Sequence, residues 1–456
     1  MAGISLPLRR LLGSRSILAQ TAGYAIAGLS MAGPWLLTAL HMQILGRLEL
    51  SGISWKELQA FQSIVLYVYA ASMLLTGVYQ LVAARHLSDR IFVRDRDAVA
   101  PAYSAAALLS LLLHGAAAGV ALLLLRPAPI LALAELALFG AVGLVSSGMI
   151  YLGVLRSFPL ILAAFAAGMA VAIAVSQVLA PALGLAGLVL GFAAGHGLIA
   201  AVFHSRLRTE FPSRQPWDFG LLRTAVRHPA LAVVGVAAAG AIWIDKMVFW
   251  SGPWSLRSDA GLRVCPLVDN GFFLASFTIL PALIILFIRL EGSFHDKYAR
   301  FFGSLRAGAD LPTIRRSRAD VVASFDATIV RIAVLQGMAT LGAILLAPQL
   351  LLAFRQDWIS FYVFRTACLG AYLQMLALAI LLSSIHLALY RIALAVALLN
   401  LLAGAIGAWV TREAGPEYLG MGNVAAGALS LLVGYPSLRS VLANLERHTF
   451  MSQIGS

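Results

Sequence analysis

RLRTEFPSRQPWDFGLLRTAVRHPALAVVGVAAAGAIWIDKMVFW, residues 206–250, joins two very different kinds of sequence. Its first half carries Arg206, Arg208, Arg214, Arg223 and Arg227 together with three prolines. Its second half is an apolar run of about 20 residues, the length that crosses a bilayer as a helix. Reading outward, similar runs recur on both sides. Six precede the basic stretch, at about 18–45, 60–84, 99–125, 130–154, 159–181 and 185–203. Six include or follow it, at about 230–251, 270–290, 328–353, 366–388, 392–411 and 417–436. The sequence therefore predicts an all-α polytopic membrane protein of twelve spans, with 204–229 as a basic linker between two halves.

Composition agrees. Hydrophobic residues make up 61% and charged residues 12% of the 456, and mean hydropathy is +0.88. A soluble domain is about 45–50% apolar and about 25% charged, so a water-soluble enzyme and a disordered chain are both excluded. Two cysteines are too few for a disulfide scaffold or a thiolate metal cluster. The net charge of +13 would suggest nucleic acid in a soluble protein, but here the basic residues fall between spans, where they orient the chain. With both termini inside, the cytoplasmic side holds 24 of the 33 basic residues and the outer side 8, Lys246 being the one inside a span. This bias predicts cytoplasmic termini. Arg9, Arg10 and Arg15 before the first run imitate a secretory signal, but the run is too long for a signal core of about 7–15 residues. Cys265 in an outer loop and Cys368 near the outer end of span ten read as free thiols.

The halves divide as 17–203 and 230–436. Residues 1–16 place Ile4, Leu8, Leu11 and Leu12 on one face, as a helix lying in the membrane interface does, and 437–456 form a cytoplasmic tail. The segment 291–327 is the longest polar stretch. Within it Phe294, Tyr298, Phe301, Phe302 and Leu305 follow amphipathic spacing, with Arg300, Arg315, Arg316 and Arg318 around them. That pattern suits anionic lipid headgroups or a cytoplasmic partner docking on Phe294, Tyr298 and these arginines.

Charges inside spans carry the functional expectations, because charge at membrane depth is costly and usually faces a cavity or a partner. Asp245 and Lys246 lie about five residues, roughly 8 Å of helix, from the outer end of span seven. Adjacent helical residues do not face each other, so the two are not expected to pair simply with each other; they snorkel to the outer interface, pair with another span, or line a substrate or ion pathway. Glu135 near the outer end of span four, and Arg289 and Glu291 closing span eight, complete the set expected to line a pathway or form a latch. Gly33-Pro34 and Pro281 break spans one and eight and mark moving elements. His114, His196 and His386 read as hydrogen-bonded packing residues, and Gly187, Gly191 and Gly195 as a close helix-packing face. Asp95-Arg96-Asp97 reads as a solvated loop. No phosphate-binding loop, His-Glu-x-x-His or Cys-x-x-Cys is present, so neither enzyme activity, nor a metal, nor a cofactor is expected.

Several ordered blocks resemble the PelG family, transporters of Pel exopolysaccharide synthesis. They are Met1-Ala-Gly-Ile4 with Leu8-Arg9-Arg10, Gly23-Tyr24 and Gly33-Pro34-Trp35, then Leu75-Thr76-Gly77, Gln80-Leu81 and Asp89. Trp243-Ile-Asp-Lys246 with Phe249-Trp250, Phe287-Ile-Arg-Leu-Glu291 with Phe294 and Lys297-Tyr298, and Leu445-Glu446 with Thr449-Phe-Met451 continue the likeness. Val268-Asp269-Asn270-Gly271 and Gly292-Ser293 depart from it. The resemblance implies two six-helix lobes around a central cavity, in the multidrug/oligosaccharidyl-lipid/polysaccharide flippase superfamily. It also implies export of an N-acetylgalactosamine-rich polysaccharide across the bacterial inner membrane. The partners it implies are a cytosolic glycosyltransferase, a cyclic-di-GMP-sensing membrane receptor and a scaffold subunit, with no nucleic acid. A lipid-linked oligosaccharide flippase or multidrug antiporter of the same fold, and a non-transporting scaffold for a glycosyltransferase, remain the alternatives.

Overall fold

The computed structural model describes residues 14, 16–46, 53–354 and 356–447. The interfacial helix expected at 1–16 and the end of the tail, 448–456, therefore lie almost wholly outside the described residues.

The apolar runs become helices: α1 (Ile17–Leu45), α2 (Trp55–Phe92), α3 (Val99–Leu125), α4 (Pro129–Val154), α5 (Phe158–Leu183) and α6 (Leu185–Glu210). A short α7 (Gly220–Arg227) leads into α8 (Pro229–Trp250). A two-stranded antiparallel hairpin, β1 (Leu256–Arg257) and β2 (Arg263–Val264), follows. Then come α9 (Pro266–Ser276), α10 (Leu280–Ile288), α11 (His295–Arg306), α12 (Leu311–Leu345), α13 (Ala347–Ala353), α14 (Ser360–His386), α15 (Tyr390–Thr411) and α16 (Met421–Ala443). Among the described residues eleven helical segments are long and apolar enough to cross a bilayer, α9 and α10 counting as one, and α1 makes a twelfth when its two parts are joined.

Three elements differ from the sequence reading. The span expected at 328–353 is a 35-residue helix beginning at Leu311. Its start holds Arg315, Arg316 and Arg318, which are good helix formers despite their charge. Its end comes before Pro348, which lacks the N–H and clashes with the preceding turn. Residues 347–353 are accordingly a separate short helix. The stretch 291–327 is thus shared among a π-helical turn at Arg289–Phe294, α11, a turn and the first half of α12. The α2 helix also starts earlier than expected, because Ser54 and Glu57 form a reciprocal capping box.

The chain divides into two compact units: residues 32–243 with 255–264, and residues 1–31 with 244–254 and 265–456. In the first, the glycine face of α6 lies on the backbone of α5. A Cβ on Gly187 would meet Ala180 Cα at 2.7 Å, and one on Gly195 would meet Ala172 Cβ at 2.7 Å. Phe61, Phe192, Phe203, Tyr79, Tyr103 and Tyr151 fill the core. Tyr79 and Tyr151 spend their hydroxyls on Ser147 Oγ (2.9 Å) and Ala102 O (2.8 Å). In the second unit Ala282, Leu286, Ile332, Met375, Leu376 and Ala379 pack α10, α12 and α14 together.

Candidate functional site

The charges of α8 belong to the second unit. Asp245 is 3% exposed. Its Oδ1 accepts the backbone N–H of Lys246 at 2.7 Å and lies 3.2 Å from Lys246 Nζ. This corrects the expectation that the two would not pair with each other. The aspartate folds back toward its own backbone, and the flexible four-carbon lysine stem curls to meet it. The ammonium also stands over the Phe272 ring, 4.4 Å from its centroid, where the ring face favours a desolvated cation.

A second acid completes the cluster. Asp269, in the first turn of α9, accepts from Trp250 Nε1 at 3.0 Å and from the Cys265 N–H at 3.0 Å. It is within electrostatic reach of both Lys246 and Asp245. Two carboxylates and one ammonium therefore share an apolar setting, leaving one formal negative charge, with fixed donors already committed to Asp269. Asp269, Trp250 and Phe272 were missed as site residues because the span was started at residue 270, which made Asp269 a loop acid. Trp250, four and five positions beyond Lys246 and Asp245 on one helix, was the available signal.

The remaining expected residues do not join this cluster. Glu135 is half-buried on α4 in the other unit and has no hydrogen bond or ion pair among the described residues. Arg289 is half-buried and engaged, and it opens the π-helical turn Arg289–Phe294; such turns recur at functional positions. The Glu291 side chain lies outside what is described. Gly33 and Pro34 lie just after a break in α1 between Leu29 and Ala32. Pro34 sits there within the first turn of the second part, where its missing N–H costs little. Pro281 sits in the first turn of α10, directly after the 3₁₀ turn at Phe277–Ile279 that divides span eight.

The docking residues separate into two groups. Phe294 is 2% exposed, stacked on Tyr298 (6.4 Å) with His386 at its edge (6.2 Å), so it is part of the unit's interior and not of a free face. Burial pushes the Tyr298 phenol up. Arg318 is held by Glu446 at 3.0 Å. Arg300, Arg315 and Arg316 remain exposed.

Two further polar nodes stand apart, one that the sequence did not single out and one around a histidine that it did. On α14, α15 and α16, the Gln374 Nε2 donates to Asn400 Oδ1 (2.9 Å) and Asn423 Oδ1 (2.8 Å), and Asn400 Nδ2 returns a bond to Gln374 Oε1 (2.7 Å). In the other unit His196 Nε2 pairs with the Tyr69 hydroxyl at 2.8 Å while Nδ1 meets Phe192 O at 2.9 Å. His114 likewise uses Nδ1 on Ser110 O at 2.8 Å, so both histidines serve as packing residues, as expected. Among the described residues no group of three or more His, Cys, Asp or Glu is arranged to hold a metal. Cys265 and Cys368 are both free and buried.

The fold has close structural counterparts. An outward-facing multidrug resistance MATE-family transporter of the MOP superfamily superposes with a TM-score of 0.67 at 14% identity, over 97% of this chain and 99% of that one. An inward-facing form gives 0.61 at 14% identity over 96% and 97%. A MOP-superfamily transporter from Pyrococcus furiosus, described by a reversed polarity of its binding pocket, gives 0.65 at 13% over 96% and 99%. Comparison with functionally curated protein sequences finds no match. The fold is that of multi-pass MATE-type membrane transporters. The model of the family described as "PelG: Putative exopolysaccharide Exporter (EPS-E)" matches residues 1–450, and the chain belongs to that family.

Proposed function

We propose that this protein moves an N-acetylgalactosamine-rich, Pel-type exopolysaccharide from cytoplasm to periplasm across the bacterial inner membrane. It does so by alternating access of two six-helix lobes, 17–203 and 230–436, in step with a cytosolic glycosyltransferase. The carrying observation is the exporter-family match over residues 1–450 on a chain with the MATE-like fold. The buried Asp245–Lys246–Asp269 cluster supports it, since charge kept at membrane depth needs a use. In this reading Asp245 and Lys246 latch or line the path, Arg289, Glu291 and Glu135 contribute along it, and the breaks at Gly33-Pro34 and near Pro281 let helices move. Arg300, Arg315 and Arg316 offer the glycosyltransferase, the cyclic-di-GMP-sensing receptor and the scaffold subunit a basic cytoplasmic surface.

The test is reconstitution in vesicles with the partner glycosyltransferase and UDP-sugar, scoring polymer inside and outside. Polymer reaching the far side only when this protein is present supports the proposal. Polymer that stays on the side of synthesis while a lipid-linked sugar crosses assigns the protein to the flippase alternative.

A further inference from the structure

We propose that α7 and the turn before it form a binding surface for anionic lipid headgroups. The helix presents three stripes. Gly220 and Thr224 lie against His86 of α2, with Thr224 Oγ1 3.3 Å from His86 Nδ1. Leu222 and Val226 point away from the protein, 49% and 83% exposed, and the stacked pair Trp217 and Phe219 beside them is 47% exposed at each ring. Arg223 and Arg227 form the third stripe, and Arg214 precedes it. All three arginines are exposed and have no acidic or aromatic partner among the described residues.

Position decides what covers this surface. The 22-residue α8 begins at Pro229, with only His228 between it and α7. At about 1.5 Å per residue α8 is just long enough for the roughly 30 Å hydrocarbon core, so α7 lies at the bilayer boundary. Trp217 suits that depth, and the apolar stripe enters the acyl region while three uncompensated cations stay among headgroups. The orientation is fixed from the protein side. Asp218 receives Arg90 (3.2 Å) and His86 (3.2 Å), takes the Gly220 N–H (2.8 Å), and donates its own N–H to Pro101 O (3.1 Å). A segment clamped this tightly presents its arginines in register. Headgroup charge, not a protein groove, is the complement that the exposed Arg223 and Arg227, with Arg214 in the segment before them, select at the bilayer boundary.

The experiment places a bimane label on Val226→Cys in the full chain, in nanodiscs of phosphatidylcholine with about 30% phosphatidylglycerol, one lipid at a time carrying brominated chains. Because each interfacial arginine favours anionic lipid by roughly fivefold, brominated phosphatidylglycerol should quench severalfold more than its mole fraction requires. The excess should disappear in 0.5 M salt and in the Arg214→Gln, Arg223→Gln, Arg227→Gln variant. Quenching by each lipid in proportion to its mole fraction in the unsubstituted background overturns the headgroup preference. No quenching by either lipid overturns the membrane placement and leaves the surface to a protein partner.

Discussion

Replacing Lys246 by methionine keeps the length of the side chain and removes its charge. Asp245, 3% exposed, would then sit in an apolar setting with only a backbone N–H as donor. Breaking a buried pair in this way costs about 3–5 kcal/mol. Asp245→Asn is expected to be milder. Lys246 would keep the Phe272 face and the field of Asp269, so a loss of about 1–2 kcal/mol follows. The double variant removes both charges and should be more stable than Lys246→Met alone, with a coupling of about 2 kcal/mol in the cycle. Thermal unfolding of purified protein and abundance in membranes read the stability. Secreted polysaccharide normalised to protein reads transport, and Asp245→Asn should lower it while the protein still inserts. Equal losses for the two single variants, adding in the double, would show that the pair is not the unit described here.

Other expectations follow from the same geometry. Asp218 loses some ground to burial, but the Gly220 N–H, His86 and Arg90 more than offset it and hold its carboxyl below the usual carboxylate range. A depressed acid stabilises above its unfolded value and stops doing so as pH falls through the folded one. The part of the α7 clamp carried by Asp218 should therefore persist down to about pH 4 and fail below. Asp218→Asn should raise amide exchange across 219–227 by about tenfold at neutral pH, a loss near 1.4 kcal/mol. Both cysteines should alkylate in denaturant without reductant. In the native protein Cys265 should react slowly, since burial, with Asp269 beside it, pushes its thiol to about 11; a bridged species in intact-mass analysis contradicts this. A single cysteine at Arg214 should meet an impermeant reagent only after cells are opened, as the 24-to-8 split of basic residues requires.

The span pattern was legible because a bilayer imposes one length and one composition on every crossing segment. Errors arose where those rules give no purchase. Hydropathy alone extended the ninth span past Pro348 and began it after a charged helical entry that continues unbroken from Leu311. Rotamers were beyond reach as well. Helical spacing says neighbours do not face each other, yet Asp245 and Lys246 meet through a folded-back carboxylate and a flexible stem. The amide node of Gln374, Asn400 and Asn423 was invisible for another reason. Each residue is uncharged and alone in its own run, and only packing of three helices makes them one group. The apolar face of α11 was read correctly as a face, but amphipathic spacing does not say whether lipid, partner or protein covers it. Phe294 and Phe301 are buried within the unit.

The two units differ chemically in a way that bears on transport. In residues 32–243 the polar side chains singled out within the spans are hydroxyls of Tyr69 and Tyr79 and imidazoles of His114 and His196, each making at least one hydrogen bond to a nearby oxygen or ring nitrogen. In the other unit the interior holds full charges at Asp245, Lys246 and Asp269. If the substrate is the uncharged sugar polymer proposed above, hydroxyls and amides recognise it best, which favours the latch over the lining role for the paired ions Asp245 and Lys246. The reading that fits both facts separates the tasks. On the proposed function, neutral groups such as the amides of Gln374, Asn400 and Asn423, which share a unit with the ions, would meet the sugar, while the ions of α8 and α9 would set the balance between states. It follows that Asn400→Leu should alter which polymer is exported, or how fast, with little change in unfolding temperature beyond its lost hydrogen bonds, about 1 kcal/mol each. Lys246→Met should instead depress export of every substrate together with stability. Measuring both variants against polymers of different sugar composition decides it. A substrate-selective defect in Lys246→Met, or a uniform one in Asn400→Leu, would reverse the assignment.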